Sequence, residues 1–227
     1  MREGIGVLKE SSLHASLKEW YFEPGDSLET KVDGSIVDLV RGEMCIEFQT
    51  KHLYAIKRKV LKLLNAHPVR IVYPLALEKH IVRIDIETEA ILSRRKSTKR
   101  GSLFDIFNEL VRITQLIGYD SFSFEVLLIR EEQVLVNDGA GSWRRKGWSV
   151  GDRRLMEVVG SSLFAGLDDY KQLIPKDLKE PFSVMDLARA IYRPRYLASK
   201  MAYSLREMNI IEIVGKKGNA YLYKMRA

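Results

Sequence analysis

Apolar residues recur along this chain with two alternating periods, and that alternation sets out the elements. Over residues 7–21, Leu13, Leu17, Trp20 and Tyr21 fall on one side of a helix. Three period-two runs follow at 28–32, 35–40 and 43–50, separated by Asp33-Gly34 and Arg41-Gly42, and they read as an antiparallel meander with tight turns. A second helix is expected over 53–65, apolar at Ile56, Val60, Leu63 and Leu64, then strands at 69–73 and 81–86. Further on, Leu103, Phe107, Leu110, Val111 and Thr114 predict a helix over 103–117, and a β pair is expected at 122–129 and 133–137, interrupted by Arg130, Glu131 and Glu132. Residues 151–179 read as a helical connector.

The last stretch, 181–227, has its own pattern. Ser183 followed by Asp186 has the spacing of a helix N-cap with an acid in the first turn. Pro194 breaks that helix and opens another, whose buried face is Leu197, Met201, Leu205 and Met208. Two short β runs, 210–214 and 220–225, enclose a Gly/Asn-rich turn carrying Lys216 and Lys217. Charge adds to this picture. The stretch holds nine Lys and Arg against three Asp and Glu, so six of the chain's formal +7 lie there, an asymmetry that favours a polyanionic partner. Arg195, Tyr196, Ser199, Tyr203 and Arg206 lie opposite the buried face of the second helix, with Lys200 on its flank. Such a face suits phosphates and base edges in a major groove. The order helix, basic helix, β-hairpin resembles the winged-helix family, and the resemblance implies duplex DNA binding. Used instead for protein contact, the same unit would show no salt-dependent DNA affinity.

The remainder of the chain is close to neutral, and acids stand inside its apolar runs. Asp38 lies between Val37 and Leu39, Glu47 between Ile46 and Phe48, and Glu10 precedes Leu13 by three positions on the apolar side of the first helix. Burying an unpaired carboxylate is costly, so each needs a reason. A structural reason would be ion pairs of Asp38 and Glu47 with Arg41 or Arg58. The order helix, meander, helix, strand, with Asp38 in the second strand and Glu47-Phe48-Gln49 in the third, resembles the PD-(D/E)xK nuclease superfamily of restriction-endonuclease-like enzymes and Holliday-junction resolvases. The resemblance covers about residues 7–86. It implies an α/β fold, a restriction-endonuclease-like mixed-sheet core followed by a small winged-helix domain. It further implies that Asp38 and Glu47 hold Mg²⁺ or Mn²⁺, that Glu10 assists, and that Gln49 stands where the superfamily usually has lysine. Lys51, on the same strand face, or Lys57 would then supply the missing amine. The activity implied is metal-dependent endonucleolytic hydrolysis of duplex or branched DNA by a homodimer with one site per strand; the alternative is a non-cutting DNA-binding regulator or architectural protein on the same scaffold.

The expected organisation is therefore residues 1–150, a nuclease-like domain with a β-containing extension over 87–150, and residues 151–227, the connector and the winged helix. Within the extension, 94–101 is a basic run suited to tracking a backbone, and Arg144, Arg145 and Lys146 between Trp143 and Trp148 suit stacking and phosphate contact. The four histidines show no metal-ligand spacing, so zinc is not expected. No run of about 18 apolar residues predicts a membrane span, the N-terminus is too evenly charged for a signal peptide, and the single cysteine, Cys45, excludes a disulfide framework and points to the cytoplasm.

Overall fold

The computed structural model describes residues 11–141, 143 and 146–226. The chain is a mixed α/β protein built on one large sheet. Helix α1, Ser12–Tyr21, is capped by Ser11, whose side chain accepts from the His14 amide. Strands β1 (Ser27–Val32), β2 (Ser35–Arg41) and β3 (Met44–Phe48) form the antiparallel meander. Its first turn needs left-handed backbone at both central residues, and Asp33 and Gly34 have φ of 47° and 77°. A 3₁₀ turn at Leu53–Ile56 leads into α2, Lys57–Leu63. Strand β4, Val69–Ile84, then runs parallel to β3.

Four expectations are corrected beyond this point. The runs at 69–73 and 81–86 are one sixteen-residue strand, β4, and those at 122–129 and 133–137 are one strand, β6, Phe122–Asn137. The connector over 151–179 is mostly strand, β7, Trp148–Phe164, followed by the short α4, Leu167–Lys171. The helix over 103–117 is broken into a 3₁₀ turn, α3 (Phe107–Leu110) and a second 3₁₀ turn. In β6 the interrupting residues find partners on other strands. Arg130 pairs with Glu157, Glu131 with Arg153, and Glu132 with Arg154 and Arg94, and opposed charges support a ladder rather than break it. Pro74 is tolerated inside β4 for a geometric reason. Gln49 N donates to Val72 O, so Val72 and Pro74 both face the β3 side, and β3 pairs no further along than Val72. The missing N–H of proline therefore points into a gap between β3 and β5, Ile91–Lys96, which pairs with β4 only from His80 onward.

The sheet order is β1-β2-β3-β4-β6-β7, with β5 on the far half of β4; β3, β4 and β6 are parallel and the rest antiparallel. Helix α1 covers one face, packing Leu13, Leu17 and Tyr21 on Leu39, Ile46, Phe48, Val72 and Leu127. Trp20, expected in that stripe, is 53% exposed instead. The other face is covered by α2 and α3, and its core continues without interruption into α5 (Val184–Ala190) and α6 (Arg195–Glu207) through Phe107, Leu110, Leu187, Leu197, Met201 and Leu205. In this C-terminal unit Ser183 is the N-cap its spacing to Asp186 predicted, and the two side chains cap reciprocally. The strands β8 (Phe182–Ser183), β10 (Ala220–Met225) and β9 (Ile211–Lys217) form a small sheet in that order.

Candidate functional site

The β2–β3 ladder ends at the pair Leu39 and Ile46, and there the two strands part. Val37 packs into the core on one side of the sheet and Leu39 into the core on the other, so β2 rolls over at the residue between them, Asp38. The neighbouring strand is irregular at the matching place, where Glu29 has φ of 47°. Freed from regular alternation, the Asp38 carboxylate turns towards β3. Its Oδ2 accepts from Phe48 N at 2.8 Å and lies 3.3 Å from His14 Nε2. The same nitrogen is 2.8 Å from Phe48 O. A carbonyl oxygen only accepts, so His14 donates from Nε2. Burial alone would raise the Asp38 pKa, but the bonds from His14 and Phe48 outweigh it and hold the group below the usual carboxylate range.

Glu47 is only 3% exposed, and Lys59 Nζ, from the first turn of α2, reaches its Oε1 at 2.5 Å. Burial and the nearby Asp38 charge push its pKa up to about 7 despite that lysine. Carboxylates are hard oxygen donors of the kind Mg²⁺ and Mn²⁺ take, with water and phosphate filling the other positions. By donor chemistry the pair fits such an ion. Among the described residues no group of three or more His, Cys, Asp and Glu is arranged to hold a metal, so the ion would rest on these two acids alone. An open hollow of about 340 Å³ adjoins Asp38, lined also by His14, Lys18, Gln49 and Thr50.

Among the described residues, the alternative ion pairs of Asp38 and Glu47 with Arg41 or Arg58 do not form. Arg41 engages Asp26 and Glu23 and the Tyr21 carbonyl, and the cation on Glu47 is Lys59. Of the other candidates, Gln49 turns its amide to the carbonyls of Lys51 and His52. Lys51 is exposed, and Lys57 lies 6.0 Å from the Tyr54 ring. Glu10, Arg144 and Arg145 lie outside the described residues, while Lys146 is exposed. Sequence reasoning overlooked His14 and Lys59. The i, i+4 row His14, Lys18 beside the apolar row Leu13, Leu17, Tyr21 was the available sign for the first.

Helix α6 exposes Arg195, Tyr196, Ser199 and Tyr203 on one side and buries Leu197, Met201, Leu205 and the following Met208 on the other. Arg206 stacks 5.4 Å over the Tyr203 ring and pairs with Glu207. Lys200 is drawn away from solvent: it donates to Asn108 Oδ1 at 2.8 Å, tying α6 to α3. Lys216 and Lys217 stand exposed at the end of β9.

Residues 11–165, from α1 through β7, match the domain of unknown function DUF8091. The chain belongs to that family. It is also similar to an uncharacterized protein of Treponema pallidum (strain Nichols), with 33% identity over 186 residues, 82% of this chain and 74% of the other. No solved structure matches. The DUF8091 match takes in the whole Asp38–Glu47–Lys59 site and ends before the C-terminal unit.

Proposed function

We propose that this protein is a metal-dependent DNA endonuclease of PD-(D/E)xK type, with a winged helix at its C-terminal end. The observation that carries the reading is the buried Glu47, held near pKa 7 between Asp38 and Lys59 at the point where β2 and β3 separate. The element order α1, three-strand meander, α2, then β4 parallel to β3, supports it, and so does an amine from α2 in place of the one missing at Gln49. The net reaction is attack of water on phosphorus, rupture of one ester P–O bond, and transfer of the water proton to the leaving oxygen through a base. A bound Mg²⁺ or Mn²⁺ would supply Lewis-acid stabilisation of charge on the phosphate. Asp38 and Glu47 would hold it, and Glu47 can accept and release a proton near neutral pH. Lys59 orients Glu47 and puts a positive charge beside it. His14 fixes Asp38 and the Phe48 carbonyl relative to one another. Helix α6, through Arg195, Tyr196, Ser199, Tyr203 and Arg206, and the β9–β10 hairpin, through Lys216 and Lys217, would bind duplex, and a homodimer would bring one site to each strand.

The test is incubation of the purified chain with linear, nicked and branched DNA in Mg²⁺, Mn²⁺ or chelator. Cleavage is expected with metal, lost in Asp38→Ala and Glu47→Ala, reduced in Lys59→Met and kept in Lys51→Met. Intact DNA under every condition sinks the enzymatic reading. A second reading, a DNA-binding protein that does not cut, is favoured by one feature: both carboxylates already have cationic or donor partners, His14 on Asp38 and Lys59 on Glu47.

A further inference from the structure

A second concavity, of about 480 Å³, lies between the large sheet and the start of α6. Its floor is the stretch of β4 left unpaired between β3 and β5, including Pro74 and Ala76. One wall is the loop after β5, with Lys99 and Arg100; the other is Arg193, Pro194 and Tyr196. Gly101 clamps the loop to the floor: its amide donates to Leu77 O at 3.0 Å, and a Cβ there would sit 2.1 Å from Ala76 O.

Five cations line this cleft, Lys79, Lys99, Arg100, Arg153 and Arg193, against one carboxylate, Asp105. Some of that charge is spoken for. Glu131, fully buried, accepts from Arg153 and forms an ion pair with Lys79, and Glu78 pairs with Arg100 and Lys96. Lys99 and Arg193 make no ion pair with any described residue, yet they face the same hollow from opposite units of the chain. The Tyr196 ring, 61% exposed, stands at the mouth. It is held by Lys200, 5.9 Å from its centroid, which is itself anchored on Asn108.

We propose that this cleft binds single-stranded nucleic acid, a backbone phosphate lying between Lys99 and Arg193 and the adjoining unpaired base stacking on Tyr196. The volume suits one nucleotide unit, within the range of about 300–1,000 Å³ for enclosed ligands. Unneutralised cations beside an exposed aromatic ring are the combination that holds a strand without reading its sequence. A duplex keeps its bases stacked inside a convex phosphate surface, so it cannot bring one to Tyr196 from within a hollow. Arg153 links this cleft to the carboxylate site, since its Nη1 donates to Thr50 O, and Thr50 lines the hollow beside Asp38. The binding is independent of cleavage and survives the failure of the nuclease reading.

The experiment titrates the full chain, in chelator, against a short labelled single strand, the same sequence as duplex, and AMP. Lys99→Glu combined with Arg193→Glu is expected to weaken single-strand binding about tenfold or more and to flatten its salt dependence. Tyr196→Ala should weaken it about tenfold through lost stacking. Lys31→Glu, at an exposed position of β1, should leave single-strand binding unchanged. In the wild-type protein, bound single strand should slow acetylation of Lys99 but not of the exposed Lys224, a readout that needs no variant to fold. Unchanged single-strand affinity in the folded Lys99→Glu, Arg193→Glu protein overturns the proposal, as does an unprotected Lys99. Binding of AMP without binding of the strand also overturns it, in favour of a free nucleotide.

Discussion

Neutralising Glu47 separates the effect of its charge from that of its shape. Its pKa stands at 4.5 in its ordinary state and about 7 in the fold. The folded chain therefore binds the Glu47 proton more tightly than the unfolded chain does. That preference stabilises the fold fully below pH 4.5 and is lost as pH rises through about 7. Integrated from pH 5 to pH 8, the loss is about 2–3 kcal/mol, and for a chain of this length that is roughly 5–10 °C in Tm. Glu47→Gln keeps the shape and removes the proton equilibrium, so its Tm should fall less than that of wild type over the same interval. All other titratable groups are common to both proteins, so the difference between the two pH slopes is the quantity to read. Lys59, left without its partner, is 26% exposed and can turn to water. Mg²⁺ at pH 8 should raise the wild-type Tm and leave the glutamine variant unmoved. Parallel pH profiles for the two proteins would refute the assignment of Glu47 as a buried, repelled carboxylate.

Arg153→Met leaves the fully buried Glu131 with Lys79 alone, and a loss of about 3–5 kcal/mol is expected in denaturant unfolding. Gly101→Ala forces a methyl group into Ala76 O and should cost about 1–3 kcal/mol while loosening the loop, read as faster proteolysis near Lys99. Ser183→Ala removes the cap of α5 and should cost about 1 kcal/mol, visible as a small drop in Tm with no change in DNA binding.

The sequence was most readable where local chemistry decides the structure. The Asp33-Gly34 turn, the Ser183–Asp186 cap and the buried stripe of α6 follow from residue type and spacing alone. It was least readable where a charged residue is satisfied from a distant part of the chain. Arg130, Glu131 and Glu132 read as a break because Glu157, Arg153, Arg154 and Arg94, their partners in β7 and β5, are invisible to a window of a few residues. Asp38 and Glu47 stood out as acids in apolar runs, but which cations meet them depends on how α1 and α2 pack. That packing brings His14 to Asp38 and Lys59 to Glu47, while Arg41 goes to Asp26 and Glu23. The basic cleft was hidden for the same reason, since Lys99 and Arg193 come within one hollow only through the fold.

The core shared by the large sheet and the C-terminal helices sets how this chain can be taken apart. Phe107 and Leu110 of α3 belong to the same buried cluster as Leu197, Met201 and Leu205 of α6, and the Lys200–Asn108 bond crosses the same junction. A cut near residue 180 would therefore yield two pieces with torn apolar faces, not two usable modules. Swapping the C-terminal piece for a relative's would work only if α3 were exchanged with it. The spacing from Tyr196 to Asp38 is thus settled when the chain folds: the molecule is a fixed gauge, and whatever it grips at one end meets the other end at a set distance.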